Sequence, residues 1–223
     1  MLETIHCKNY GELSEKAAQI VLKKIGEPRQ VSLVLSGGIS VKGMLESLGN
    51  SGKIFSNVNA FMADERLVPP DSSESNFRQA EALFFSKAQG IHAHAFGTNK
   101  GIEEYNRAFQ AVTRGVPDIA VLGVGEDGHI ASLFPSHEAL ESSEKGFIAV
   151  HNAPKKPAER ISLSPKAIAS AREVLLLFAS ESKKEAFEKF SAEKVSAKDC
   201  PAKIALAAEK VSALTAFGGS DGG

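Results

Sequence analysis

The sequence predicts an α/β fold: one mainly parallel sheet covered by helices on both faces. Three observations carry this reading. Short apolar, β-branched runs alternate along the chain with segments of helical period, with no internal repeat and no linker. The strand-like runs are mostly apolar and lack strict polar alternation, as strands buried on both faces do. Several of them lead straight into Gly-rich or charged turns, which is how an open α/β sheet presents groups to a ligand at the carboxyl ends of its strands.

Residues 14–25 read as the first helix. Ala17, Ala18, Val21, Leu22 and Ile25 fall at helical spacing, Ser14 is a plausible cap, and Gly26-Glu27-Pro28 stops the helix. Val31–Leu35 is a buried strand that runs into Ser36-Gly37-Gly38-Ile39-Ser40, and a helix follows over 41–48. Strand, Ser-Gly-Gly, helix is an anion-binding arrangement, because bare N–H groups at a helix N-terminus favour negative charge. It lacks the G-K-[ST] ending of a Walker A loop, and a plain tight turn fits the same residues.

Residues 58–63 are the next strand, ending in Asp64-Glu65-Arg66. Arg66 offers a planar fork to a phosphate. A polar loop at 69–75 leads to Asn76 and a helix through 85, and 103–112 is helical. Residues 118–122 form the most buried central strand. Phe147–Val150 and Arg160–Leu163 read as short strands around a polar loop at 152–159, and Glu173–Phe178 as a strongly buried strand. Ser180-Glu181-Ser182-Lys183 opens a helix through 190. Residues 201–208 are helical, 211–217 form a last edge strand, and 218–223 a loose tail. Residues 1–223 are expected to make a single domain.

The chemistry concentrates after the central strand. Gly123, Gly125 and Gly128 surround Glu126 and Asp127, and His129 follows before an apolar stretch ending at Pro135. The spacing meets G-x-G-x-x-G on paper. However, no acid closes a following strand about 20 residues on, as a dinucleotide site requires. His129 is the one side chain here whose unperturbed pKa lies near neutrality, which makes it the candidate catalytic group. A strand followed by a Gly-rich turn also occurs where the glycines only make the turn. Asp127, two residues away, is placed to orient the imidazole. Ser132 forms no G-x-S-x-G elbow and reads as a packing or capping residue.

Composition narrows the partners. A formal net charge of −1 with mixed charges offers no basic face for nucleic acid. Cys7 and Cys200 lack metal or C-x-x-C spacing and read as cytosolic thiols. The N-terminus has no apolar signal core, and no run approaches a membrane span, so the expected protein is soluble and cytoplasmic. His92-x-His94 lacks a third metal ligand, and His6, His92, His94, His137 and His151 are all read as surface or structural. Lys155-Lys156 reads as a solvated loop or, more sharply, as a rim contact with a substrate.

Asp127-Gly128-His129-Ile130-Ala131-Ser132-Leu133-Phe134-Pro135, after Gly123-Val124-Gly125, resembles the signature of the 6-phosphogluconolactonase family. Ser36-Gly37-Gly38, Asp64-Glu65-Arg66 with Val68-Pro69, Ser75-Asn76, Arg160-Ile161-Ser162-Leu163 and Lys183 resemble further motifs of that family in the same order. Together they span residues 31–201. The resemblance implies a Rossmann-like sheet shared with the glucosamine-6-phosphate deaminase superfamily. It implies hydrolysis of 6-phospho-D-glucono-1,5-lactone to 6-phosphogluconate in the oxidative pentose phosphate pathway, with no metal or organic cofactor. His129 would be general base with Asp127 beside it. Ser36, Gly37, Gly38, Arg66 and Lys183 would hold the phosphate, and Asp64, Asn76 and Arg160 complete the substrate-binding set. A monomer or weak homodimer is expected. Two departures stand out: Ser40-Val41 replaces the family's usual Ser/Thr-Pro, and Ser180 its usual glycine.

In the expected mechanism His129 takes a proton from the water that attacks C1 and returns it to the ring oxygen. N–H groups of the 123–128 loop are guessed to face the oxyanion. Two other functions use this fold. In an amino-sugar-phosphate isomerase or deaminase Asp64 would abstract the proton. That family's glutamate falls on Phe134 and its tyrosine on Arg66, both against the reading. A sugar-phosphate sensor would need a helix-turn-helix, and about thirty residues before the first predicted strand leave it little room.

Overall fold

The computed structural model describes residues 1–69, 71–97 and 101–217. The chain opens with strand β1 (Leu2–His6) and helix α1 (Tyr10–Ile25), then β2 (Val31–Leu35), α2 (Ile39–Gly49), β3 (Val58–Met62) and β4 (Asp64–Arg66). Helix α3 (Asn76–Ala80) continues as a π-turn at Glu81–Phe85, and β5 (His92–His94), α4 (Gly101–Thr113) and β6 (Ile119–Gly123) follow. Then come β7 (Phe147–Val150), β8 (Arg160–Leu163), α5 (Pro165–Ala169), β9 (Glu173–Phe178), α6 (Lys184–Ser191) and β10 (Lys210–Thr215). The predicted tail at 218–223 lies outside the described residues.

The main sheet is parallel throughout and runs β1-β10-β9-β6-β2-β3-β5. Side-chain alternation divides the core in two. Val34, Phe61, Ala120, Leu122, Leu176 and Phe178 face the layer containing Phe109, Phe147 and Phe190. Leu33, Leu35, Ala60, Met62, Val121 and Leu177 face the layer of Leu13, Val21 and Met44 from α1 and α2. Strand order reverses between β2 and β6: β3 and β5 lie outward of β2, and β9 and β10 outward of β6. The crevice beyond the carboxyl ends of β2 and β6 is therefore the topological switch point, where such sheets receive ligands.

Three expectations need correction. Residues 211–217 are not an edge. Their strand is covered on its outer side by β1, which pairs in register from Leu2 with Val211 to His6 with Thr215. The largely exposed β1 has no buried apolar run to betray it, and it places the first strand at residue 2, not near residue 31. Next, Asp64-Glu65-Arg66 is more than the end of the strand before it, and the expected single sheet is joined by another. These residues form a strand of a separate antiparallel sheet, β4-β8-β7, so the fold has two sheets. Finally, α1 starts at Tyr10. Asn9 caps it by accepting from Glu12 N at 3.0 Å, and Glu12 reaches back to Lys8 N at 2.7 Å. Ser14 is a buried mid-helix residue whose Oγ has no partner. The 201–208 helix is a 3-10 segment, Pro201–Ala207.

Asp118 ties the central strands together. Its Oδ2 accepts from Ser32 N and Ser32 Oγ, both at 2.8 Å, and Oδ1 accepts from Arg29 at 2.7 Å. Burial works to raise this carboxyl, but the Ser32 and Arg29 bonds outweigh it and hold it below its ordinary value. A depressed folded-state pKa contributes stability above the unfolded pKa and loses it as pH falls through the folded one. The contribution therefore fades from about pH 4 downward. Asp118→Ala is expected to lower stability by about 3 kcal/mol and to flatten the acid side of the stability profile. Urea unfolding across pH checks this; an unchanged midpoint would refute it.

Candidate active site

A cleft of about 610 Å³ opens at the switch point. Ser36, Gly37 and Gly38 line it from the end of β2, Asp64 and Arg66 from β4, and Asn76 from α3. His129 enters from the loop after β6, Arg160 from β8, and Lys183 from the turn after β9. The residues singled out on these separate segments therefore converge. Asp127 stands behind the imidazole.

The loop after β6 is shaped around His129. A Cβ on Gly125 would sit 1.9 Å from His129 Nδ1 and 2.5 Å from Asp127 Oδ1, so only glycine leaves the ring its place. Nδ1 is hydrogen-bonded to Asp127 Oδ1, and the ring lies tilted on Phe134 with centroids 4.6 Å apart. Burial works to raise the Asp127 carboxyl, yet the hydrogen bond and charge of His129 outweigh it and hold the group well below the usual carboxylate range. An ionised carboxylate only accepts, so Nδ1 carries the proton and Nε2 presents its lone pair. The loop's own amides are mostly committed: Val124 N to Leu177 O, Gly125 N to His129 O, Gly128 N to Gly125 O. These three cannot serve an oxyanion without breaking the turn.

A buried polar network forms the floor. Asp64 Oδ2 accepts from Ser132 Oγ at 2.7 Å and lies 4.0 Å from Arg160 Nη1. Asn76 Nδ2 donates to the Asp64 carbonyl at 2.9 Å and to Oδ1 at 3.2 Å. The Asn76 amide also packs so closely on the loop after β2 that a Cβ on Gly37 would meet its Oδ1 at 2.1 Å. Arg160 donates to the carbonyls of Pro157 and Lys155 at 2.8 and 2.9 Å and lies over the Phe134 ring at 5.5 Å. Burial lowers its pKa, but a guanidinium stays charged.

The cationic side holds Arg66 and Lys183. Arg66 Nη1 donates to Glu74 O at 2.5 Å, and its buried Nε has no partner. Lys183 Nζ lies 3.8 Å from Glu126, and burial pulls its pKa below the ordinary lysine value. Ser180, where the family has glycine, is extended at φ −158°, a conformation any residue adopts, so the departure does not displace Lys183 from the cleft. Lys155 Nζ is 3.8 Å from Asp127, which favours the rim reading of that loop.

Sequence reasoning missed what holds these groups. Buried Glu65 accepts from Arg66 N, Asn76 N, Phe77 N and Ser75 Oγ, fastening α3 to β4. Ser132 supports Asp64 rather than merely packing. A buried acid between two site residues was the one available signal. Of the remaining histidines, His94 stacks on Phe61 at 4.3 Å, His137 caps a 3-10 turn and His6 bonds Thr215, while His92 and His151 lie on the surface.

The profile of the family described as glucosamine-6-phosphate isomerases/6-phosphogluconolactonase matches residues 9–214. The chain belongs to this family. Within it, a curated relative from Borreliella burgdorferi named 6-phosphogluconolactonase is 32% identical over 214 residues, 91% of each chain. The solved 6-phosphogluconolactonase of Shewanella baltica superposes with a TM-score of 0.83 at 24% identity, covering 96% of this chain and 97% of that one. A monomeric glucosamine-6-phosphate deaminase superposes nearly as well, with TM-score 0.80 at 23% identity and 96% coverage of both. The backbone is thus common to both activities of the family, and the side chains must separate them.

Proposed function

We propose that the cleft hydrolyses 6-phospho-D-glucono-1,5-lactone to 6-phosphogluconate, a step of the oxidative pentose phosphate pathway, with His129 activating the attacking water. That the chain is a lactone hydrolase rests on the family and on the names of its relatives. The observation that supports the mechanism best is the Asp127–His129 pair, which leaves Nε2 as a basic nitrogen in a cleft lined by Arg66, Arg160 and Lys183. Nε2 takes the water's proton as oxygen attacks C1, and the imidazolium returns it to the ring oxygen as the C1–O bond breaks. Asp127 orients the ring and favours the imidazolium. Ser36, Gly37, Arg66 and Lys183 grip the distant phosphate, and Gly38 makes the turn that brings α2 to it. This grip contributes orientation rather than chemistry. Asp64, Asn76 and Arg160 shape the sugar-facing floor. No step runs through a cofactor, and residues 1–223 act as one catalytic domain.

Against deamination or isomerisation stands Phe134, buried at the position where that branch has its glutamate and unable to move a proton. The test is acid release from fresh 6-phosphogluconolactone above the spontaneous blank, beside ammonia release from glucosamine 6-phosphate. Activity on the second substrate alone would overturn the proposal.

Lys183 has its own expected signature. Its pKa lies below the ordinary lysine value, so its charge is lost as pH rises through that lowered value, earlier than for an ordinary lysine. Affinity for 6-phosphogluconate should weaken on the alkaline side, and Lys183→Arg, which stays charged, should abolish that limb. Calorimetric titration across pH checks it; identical profiles for the two proteins would remove Lys183 from the phosphate site.

A further inference from the structure

We propose that Tyr10 and Gln79, which belong to none of the motifs, are positioning residues that hold the Ser36–Ser40 loop in its phosphate-receiving form. This rests on the reading of that loop as the phosphate seat. Gly38 stands at φ 89° before α2, whose N-terminus has no side-chain cap and no acid in its first turn. Such a terminus leaves amide donors open to an anion, but only if the loop before it is held. The loop also carries Ser36 Oγ, buried and without a partner, while Ser36 N is already bonded to Val121 O.

Two side chains hold the loop from opposite sides. From α3, Gln79 Oε1 accepts from Gly38 N at 2.7 Å, which turns that one amide away and fixes the peptide plane. From the first residue of α1, the Tyr10 hydroxyl accepts from Gly43 N at 2.8 Å and donates to Ile39 O at 2.7 Å. Gly43 N and Ile39 O are an i, i−4 pair forming a rung in the first turn of α2. Tyr10 therefore bridges that rung and sets the first turn relative to the cleft it lines. Both clamps are uncharged, and the groups they bond, Gly38 N, Ile39 O and Gly43 N, belong to this loop and α2 and not to the His129 turn. They act on where the phosphate sits, not on the proton transfer.

The experiment compares wild type with Gln79→Met and Tyr10→Phe, each of which deletes the clamp's polar atoms at similar size. Initial rates are measured on 6-phosphogluconolactone and on plain gluconolactone, with thermal midpoints to confirm folding. Each variant should raise KM for the phosphorylated lactone about two- to tenfold. Its kcat should stay within about twofold, and its constants for gluconolactone should not move. Equal losses on both lactones would overturn the inference, because a merely structural role acts on both. So would an unchanged or lowered KM, the latter showing that Gln79 competes with phosphate for Gly38 N. A wild type that prefers the phosphorylated lactone, beside variants that match it, overturns this inference alone. A wild type that treats both lactones alike overturns the phosphate seat and the inference with it.

Discussion

His129→Asn is expected to leave a folded protein that still binds 6-phosphogluconate and turns the lactone over about 10²–10⁴-fold more slowly. The asparagine amide can still donate toward Asp127, so a merely structural histidine would be replaced with little loss. What asparagine lacks is the second ring nitrogen, the basic one, which the bond from Nδ1 to Asp127 leaves to the cleft. Asp127→Asn should cost a comparable factor by another route. An amide placed there can donate to Nδ1, which moves the ring proton to Nε2 and removes the base while keeping the histidine. Asp127 is held well below the usual carboxylate range, so in the wild type it only accepts from the ring. Single-turnover rates corrected for spontaneous hydrolysis are the measurement. Near-normal turnover by His129→Asn would move the base elsewhere, with Asp64 as the next group to test.

Arg66→Ala should lower kcat/KM for the phosphorylated lactone about ten- to a hundredfold, the worth of a charge-assisted contact of roughly 1.5–3 kcal/mol. It should change the rate on gluconolactone little. Arg66 is prepared for an anion: Glu74 O holds Nη1 while the buried Nε has no partner. It also pairs across β4 and β8 with Arg160, whose charge is disfavoured first by burial and also by Arg66. Parallel kinetics on the two lactones decide the matter. Equal losses on both would assign Arg66 to the floor of the cleft or to the fold.

Much of the fold could be read along the chain because its signals are local. Mostly apolar runs at Val31–Leu35, broken only by Ser32, and at Val174–Phe178 suffice to mark strands buried on both faces. The Asp127–His129 pair was legible for the same reason: its members are two residues apart in one glycine-rich turn. Carboxyl-end placement of the other site residues followed from the parallel α/β class.

What remained hidden depends on pairings between distant segments. Leu2–His6 is a strand only because β10 lies beside it, with His6 and Thr215 209 residues apart. Asp64–Arg66 is a strand only because Arg160–Leu163 returns to pair with it. The Ser132–Asp64–Arg160 floor, the Glu65 tether, and the Tyr10 and Gln79 clamps are all contacts of this kind. By itself the sequence determined the strand-helix alternation and the two-sided core and placed the proposed reacting groups, Asp127 and His129, in one turn, because each follows from periodicity or short spacing. Only the tertiary structure decided the edge of the main sheet, the second sheet and the support of every charged group in the cleft. A hydrogen bond between residues far apart in the chain leaves no mark on either local segment.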